Sequence, residues 1–154
     1  MACFLGSVVV QSKNFQSFYW GSDNNRDFKI STNGYKLSII SPGLTGQSGT
    51  VSFQSANNPN QYLRHYNYLI DLEDRYSARN SHIFTKDATF WLRTDKFFPG
   101  FVSFEAVNVA NHFIRHQNYR LKINSMPWLF NGLFKDDASF TFISEEKEIA
   151  PISK

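Results

Sequence analysis

Cysteine is almost missing from this chain. The single thiol, Cys3, has no partner for an internal disulfide, so packing and hydrogen bonds must hold the fold, which fits a reducing compartment. No histidine lies near Cys3 in sequence, and it reads as a buried or incidental thiol rather than a nucleophile. No apolar run approaches the length that spans a membrane, so no membrane insertion is expected. No segment sustains a 3.6-residue apolar period, which leaves helices a minor role. The 16 Lys and Arg are scattered among 13 Asp and Glu, and a net charge of +3 without a basic block argues against a nucleic-acid partner. The opening residues MACFLGSVVV carry no Lys or Arg, so they lack the charged start of a secretion signal and read as a first strand. This predicts a cytoplasmic or non-classically secreted protein. No acidic calcium loop is present, and neither a metal nor any other cofactor is expected.

What the chain has in abundance is phenylalanine, 16 of them, with 7 Tyr, and an internal repeat. Val51–Tyr68, VSFQSANNPNQYLRHYNY, returns 51 residues later at Val102–Tyr119 as VSFEAVNVANHFIRHQNY, with nine of 18 positions identical. Further on, Asp87-Ala88-Thr89-Phe90 returns as Asp137-Ala138-Ser139-Phe140. A fainter copy lies upstream, where Gln11-Ser12-Lys13-Asn14 matches Gln54-Ser55-Ala56-Asn57 and Tyr19-Trp20 falls on Tyr62-Leu63. In that copy Ser22 and Gly34 stand about where the others carry His and Asp. It keeps the apolar skeleton and loses the polar signature, so the polar residues of the later copies need an explanation other than the core.

Each copy reads as about four short strands separated by turn formers such as Asn57-Asn58-Pro59-Asn60. Gly43, Gly46 and Gly49, then Phe97-Phe98-Pro99-Gly100, separate the copies. Three such units suit a closed all-β barrel with pseudo-threefold symmetry, since three propeller blades fall below the usual range. The predicted fold is a single β-trefoil domain over 1–154, with repeats at 7–44, 50–95 and 101–144, the first degenerate, and a fraying tail at 145–154. Phe53, Phe90, Phe104 and Phe140 are assigned to the core. Asn67 and Asn118 are assigned to left-handed turns.

The candidate site residues recur with the repeat: Asn57, Arg64-His65 and Asp87 in the second unit, Asn108, Arg115-His116 and Asp137 in the third. A carboxylate accepts from two neighbouring hydroxyls at once and an imidazole donates or accepts, so the pair suits the vicinal diol of a sugar. Tyr66, Tyr68 and Tyr119 offer aromatic faces for the ring's C–H surface. A structural reading stays open beside this one, in which Arg64 and Arg115 pair with Asp87 and Asp137 to lock the barrel. Symmetry puts His65 and His116 on separate lobes, which argues against a shared metal, and His82 and His112 read as surface residues.

The pattern S-F-x-S-x-N-x-P-x-x-Y-L-R-H followed by D-A-T-F resembles the arabinofuranose-binding β-trefoil module of α-L-arabinofuranosidases. Val51–Phe90 carries it almost whole, and Val102–Phe140 carries it with Ile-Arg-His and Asp-Ala-Ser-Phe. The resemblance implies shallow pockets for terminal arabinofuranose, one per competent unit, built on His65 with Asp87 and on His116 with Asp137. Asn57, Asn108, Tyr66 and Gln117 follow as secondary contacts. The expected function is therefore a stand-alone, lectin-like, non-enzymatic module whose partners are glycans with terminal furanose or similar sugars. The alternative is an intracellular trefoil scaffold for a protein partner, actin-bundling or cytokine-like. A glycosidase is disfavoured because each unit offers one aspartate where two facing carboxylates are needed.

Overall fold

A computed structural model describes residues 3–144. The predicted fraying of 145–154 lies outside the described residues, and at Cys3 the backbone alone is described. The repeat unfolds as four strands three times over. The first unit holds β1 (Cys3–Ser12), β2 (Tyr19–Gly21), β3 (Lys29–Ser31) and β4 (Leu37–Ser41). The second holds β5 (Thr50–Ser55), β6 (Gln61–Tyr66), β7 (Leu69–Asp74) and β8 (Phe90–Thr94). The third holds β9 (Val102–Ala106), β10 (His112–Gln117), β11 (Arg120–Ser125) and β12 (Phe140–Ser144). Short helices α1 (Phe84–Asp87) and α2 (Gly132–Asp137) precede the last strand of units two and three.

The outer strands of each unit close a six-stranded ring in the order β1-β4-β5-β8-β9-β12, and β12 returns to β1. Closure leaves the ring without an open edge. The three hairpins β2–β3, β6–β7 and β10–β11 cap one end, where β11 bridges both β3 and β7 and an isolated bridge joins Asp27 to Asp71. This is a β-trefoil. Asn67-Tyr68 and Asn118-Tyr119 turn the β6–β7 and β10–β11 hairpins with both residues at positive φ. That is the turn whose twist matches the flanking strands, and Asn is among the residues with a side chain that adopt its backbone most readily.

The core is aromatic. Trp20, Phe53, Phe104 and Phe140 are fully buried, and the indole meets the three phenyl rings edge-on at 5.0–5.5 Å. The threefold match is not exact in side-chain size. Val10 stands where the other units place Phe53 and Phe104, while Trp20 stands where they place Leu63 and Ile114. The first unit thus fills the same interior by moving its bulk from one strand to the next, as a close-packed core requires.

Candidate functional site

The Asp-Ala-Thr/Ser-Phe motif has a separate duty for each residue. Phe90 and Phe140 enter the barrel core, and Ala88 and Ala138 are fully buried in the small apolar clusters beneath the two helices. Thr89 Oγ1 and Ser139 Oγ donate back to the carbonyls of Thr85 and Lys135, at 2.8 and 2.7 Å, tying off the ends of α1 and α2. The aspartates are the last residues of these helices and point inward, 3% and 4% exposed.

There they meet the arginines of the Arg-His pairs. Arg64 Nη2 donates to Asp87 Oδ2 at 2.5 Å and Arg115 Nη2 to Asp137 Oδ2 at 2.6 Å. Arg64 is fully buried and has a second carboxylate, Glu73, at 2.6 Å; the corresponding partner of Arg115 is the neutral amide of Asn124, at 3.4 Å. Burial works to raise the Glu73 pKa, but hydrogen bonds from Arg79 and Arg64 hold it below the usual value. Each guanidinium also donates through Nε to the carbonyl of the following histidine. The barrel-locking role considered for these pairs is present.

The other carboxylate oxygen belongs to a second group. Asn108 Nδ2 donates to Asp87 Oδ1 at 2.8 Å, and Asn108 Oδ1 lies 2.9 Å from His65 Nε2. Asn14 repeats the arrangement with Asp137 Oδ1 and His116 Nε2, both at 2.9 Å. A carboxylate only accepts, so the amide must turn its NH2 to the aspartate and its oxygen to the imidazole. The imidazole then donates through Nε2–H, which leaves the Nδ1 lone pair as its acceptor. Burial pushes both histidines below the ordinary imidazole pKa, against the upward pull of Asp87 and Asp137, so both are neutral near pH 7. Roughly two of each carboxylate's four acceptor positions are used by these partners.

These two centres are shared between repeats. Asn108 was assigned to His116 by its own repeat, but the structure delivers it to His65 and Asp87, because the turn after β9 reaches over the neighbouring unit. Asn57 joins neither centre; it is exposed on the turn after β5, with its N–H on Ser55 Oγ. Asn14 was missed as a site residue, although the alignment of Asn14 with Asn57 carried the signal. Tyr66 borders the second-unit cleft, with Arg79 3.9 Å and Arg64 5.3 Å from the centre of its ring. Gln117 is exposed and accepts from Lys122 Nζ at 3.1 Å. His65, Tyr66, Tyr68, Asn80, Asp87 and Asn108 line a shallow cleft of about 290 Å³. Among the described residues no group of side chains is arranged to hold a metal.

The first unit has no such centre for a steric reason. A Cβ on Gly21, which takes the place of Arg64, would lie 2.4 Å from the Asn33 carbonyl oxygen. A Cβ on Gly34, which takes the place of Asp87, would lie 2.8 Å from Val9. Residues 32–36 run directly from β3 to β4 without the helix that carries the aspartate elsewhere. The Asn33 carbonyl at one position and the Val9 side chain at the other leave no room for the arginine and the aspartate of units two and three.

The fold is a closed β-trefoil, and it carries the imidazole–amide–carboxylate centre twice. The model of the alpha-L-arabinofuranosidase B (ABFB) domain matches residues 8–142, and the chain belongs to that family. Among solved structures, an arabinofuranosidase complexed with arabinofuranosyl-alpha-1,2-xylobiose superposes with a TM-score of 0.74 at 19% identity over 90% of this chain. A second α-L-arabinofuranosidase, soaked with a cyclic sulfate inhibitor, gives 0.75 at 19% identity over 90% of this chain. The match spans 31% of the length of each of those two chains. Chicken interleukin 1 beta shares the fold at a TM-score of 0.63 and 15% identity, over 94% of this chain and 100% of its own. No curated protein sequence matches the chain significantly.

Proposed function

We propose that the chain is a non-enzymatic, lectin-like module that binds terminal sugars, arabinofuranose or a close relative, at two centres. These are His65–Asp87–Asn108 and His116–Asp137–Asn14. The observation that carries the reading is the twofold recurrence of one hydrogen-bonded geometry, 2.8–2.9 Å in both, assembled from different pairs of repeats. Core packing does not require it, since the first unit is packed without it. Each centre offers a carboxylate with spare acceptor capacity beside a neutral imidazole, which together match adjacent sugar hydroxyls. A cleft of about 290 Å³ is at the small end of ligand sites, sized for one sugar ring. One carboxylate, already paired with a guanidinium, lines that cleft, where glycoside hydrolysis uses two. Two weak sites on one body gain avidity on a multivalent glycan.

A glycan array with arabinofuranosides, galactofuranosides, and galactose and fucose termini tests this. The knock-out is Asn14→Ala with Asn108→Ala, which removes both bridging amides and leaves both arginine–aspartate pairs. Binding by the native chain that disappears in this folded variant is the expected result. No binding by the native chain to any glycan at millimolar sensitivity would overturn the reading.

A further inference from the structure

The two centres differ sharply at their outer rim. Asn80 and Ile83 line the second-unit cleft, seven and four residues before Asp87. Phe130 and Leu133 occupy the same places before Asp137, and Phe130 shares the left-handed backbone of Asn80, with φ 55 against φ 47. Asn suits that backbone, whereas a bulky aromatic rarely adopts it. Phe130 is nonetheless 97% exposed, so no packing explains the choice. Trp128 is 86% exposed, Leu133 69% and Leu129 53%. From Met126 to Phe134 no residue is charged, while the corresponding stretch of unit two carries Arg75 and Arg79. The ends of the loop are firmly seated: Met126 and Phe134 pack into a small apolar cluster with Phe97 and Phe113.

We propose that the Trp128–Leu133 tip is a lipid-surface contact that seats the third-unit centre on an anionic bilayer. Each named side chain of the tip projects into solvent, which suits entry into a fluid apolar layer rather than capture of a partner's knob. The tip comprises about six residues, well short of the 20–30 per side of a stable protein interface. Cations stand at its base. The Lys96 ammonium lies 5.8 Å over the Phe113 ring, and Lys135 follows on α2. The nearby acids are engaged, Asp136 by Lys13 and Asp95 by the Gly100 N–H. Trp and Phe over a cationic collar match the headgroup boundary of an anionic membrane. The contact is interfacial: among the described residues no helix is long and apolar enough to cross a membrane. It departs from the sequence expectation of no insertion, which weighed only the length of apolar runs. The tip's contact stands apart from the sugar reading; only what the seated centre would bind rests on it.

The test is co-sedimentation with phosphatidylcholine vesicles, with and without phosphatidylserine, together with tryptophan quenching by brominated lipid. The variant is Trp128→Ser with Phe130→Asn, which restores the residue that unit two uses at that backbone. Native protein is expected to sediment with the mixed vesicles and be quenched, and the variant to partition at least about tenfold less. Native protein that stays in the supernatant with both vesicles, or a variant that sediments equally, would overturn the proposal. So would a native dimer that becomes monomeric in the variant without any vesicle binding, which would assign the tip to a second copy. A pull-down on insoluble arabinoxylan separates the two readings. The variant keeps the second-unit centre and should still bind arabinoxylan, whereas native protein that sediments with vesicles but does not bind arabinoxylan removes the sugar reading alone.

Discussion

Replacing Asp137 by alanine should damage the fold as well as the site. Arg115 is 10% exposed, and Asp137 at 2.6 Å is the carboxylate that compensates it; the remaining partners are Asn124 Oδ1 at 3.4 Å and the His116 carbonyl. Removing one member of a buried pair costs about 3–5 kcal/mol, because the survivor stays buried and charged. The slight exposure of Arg115 puts Asp137→Ala at the low end, about 3 kcal/mol. Asp87→Ala should cost less, about 2 kcal/mol, since Arg64 keeps Glu73 at 2.6 Å. For a chain of this length each kcal/mol moves Tm by about 2–4 °C. Thermal unfolding followed by circular dichroism should therefore place Asp137→Ala about 6–12 °C below native, with Asp87→Ala between them. Arg115→Met combined with Asp137→Leu should recover most of the loss, because the charge leaves with its partner. An Asp137→Ala variant that melts with native protein, or a double variant no better than the single one, would refute this account of the pair.

Further outcomes follow from the same geometry. Asn108→Ala removes an exposed amide whose partners can turn to water, so stability should fall by no more than about 1 kcal/mol while binding at the second-unit centre is lost; urea unfolding and titration with methyl arabinofuranoside separate the two. His65 and His116 have pKa values below the usual 6.5 in the folded state, so the unfolded chain binds more protons below that pH. Stability should be full above about pH 6.5 and fall as the pH drops towards the folded values, with a smaller fall in His65→Gln, His116→Gln, when melting is compared at pH 7.5 and 5.5. Gly21→Ala should destabilise by about 1–3 kcal/mol or more, since its methyl group meets the Asn33 carbonyl at 2.4 Å; a unchanged urea midpoint would contradict that contact. For the same reason Ser22→His with Gly34→Asp should not create a third sugar-binding centre, which titration stoichiometry measures.

The repeat was legible in the sequence because each unit needs the same apolar residues at the same strand positions, and the 51-residue return of VSF and Arg-His-x-Asn-Tyr displays them. From this follow the closed barrel, the core roles of Phe53, Phe90, Phe104 and Phe140, and the left-handed turns at Asn67 and Asn118. The pairing of His with Asp was legible for the same reason. What the tertiary structure alone decided is which asparagine completes each centre. Sequence repeats group residues by unit, which places Asn57 with His65; closure of the ring instead sets the first turn of one unit over the hairpin of the unit before it. Asn108 and Asn14 therefore serve His65 and His116, and Asn57 is left exposed on its turn beside a first unit that has no such centre. The placing of Arg79 beside the Tyr66 ring and the outward projection of Phe130 are likewise properties of packing, because exposure depends on what the folded chain places next to a side chain, and residue type does not determine it.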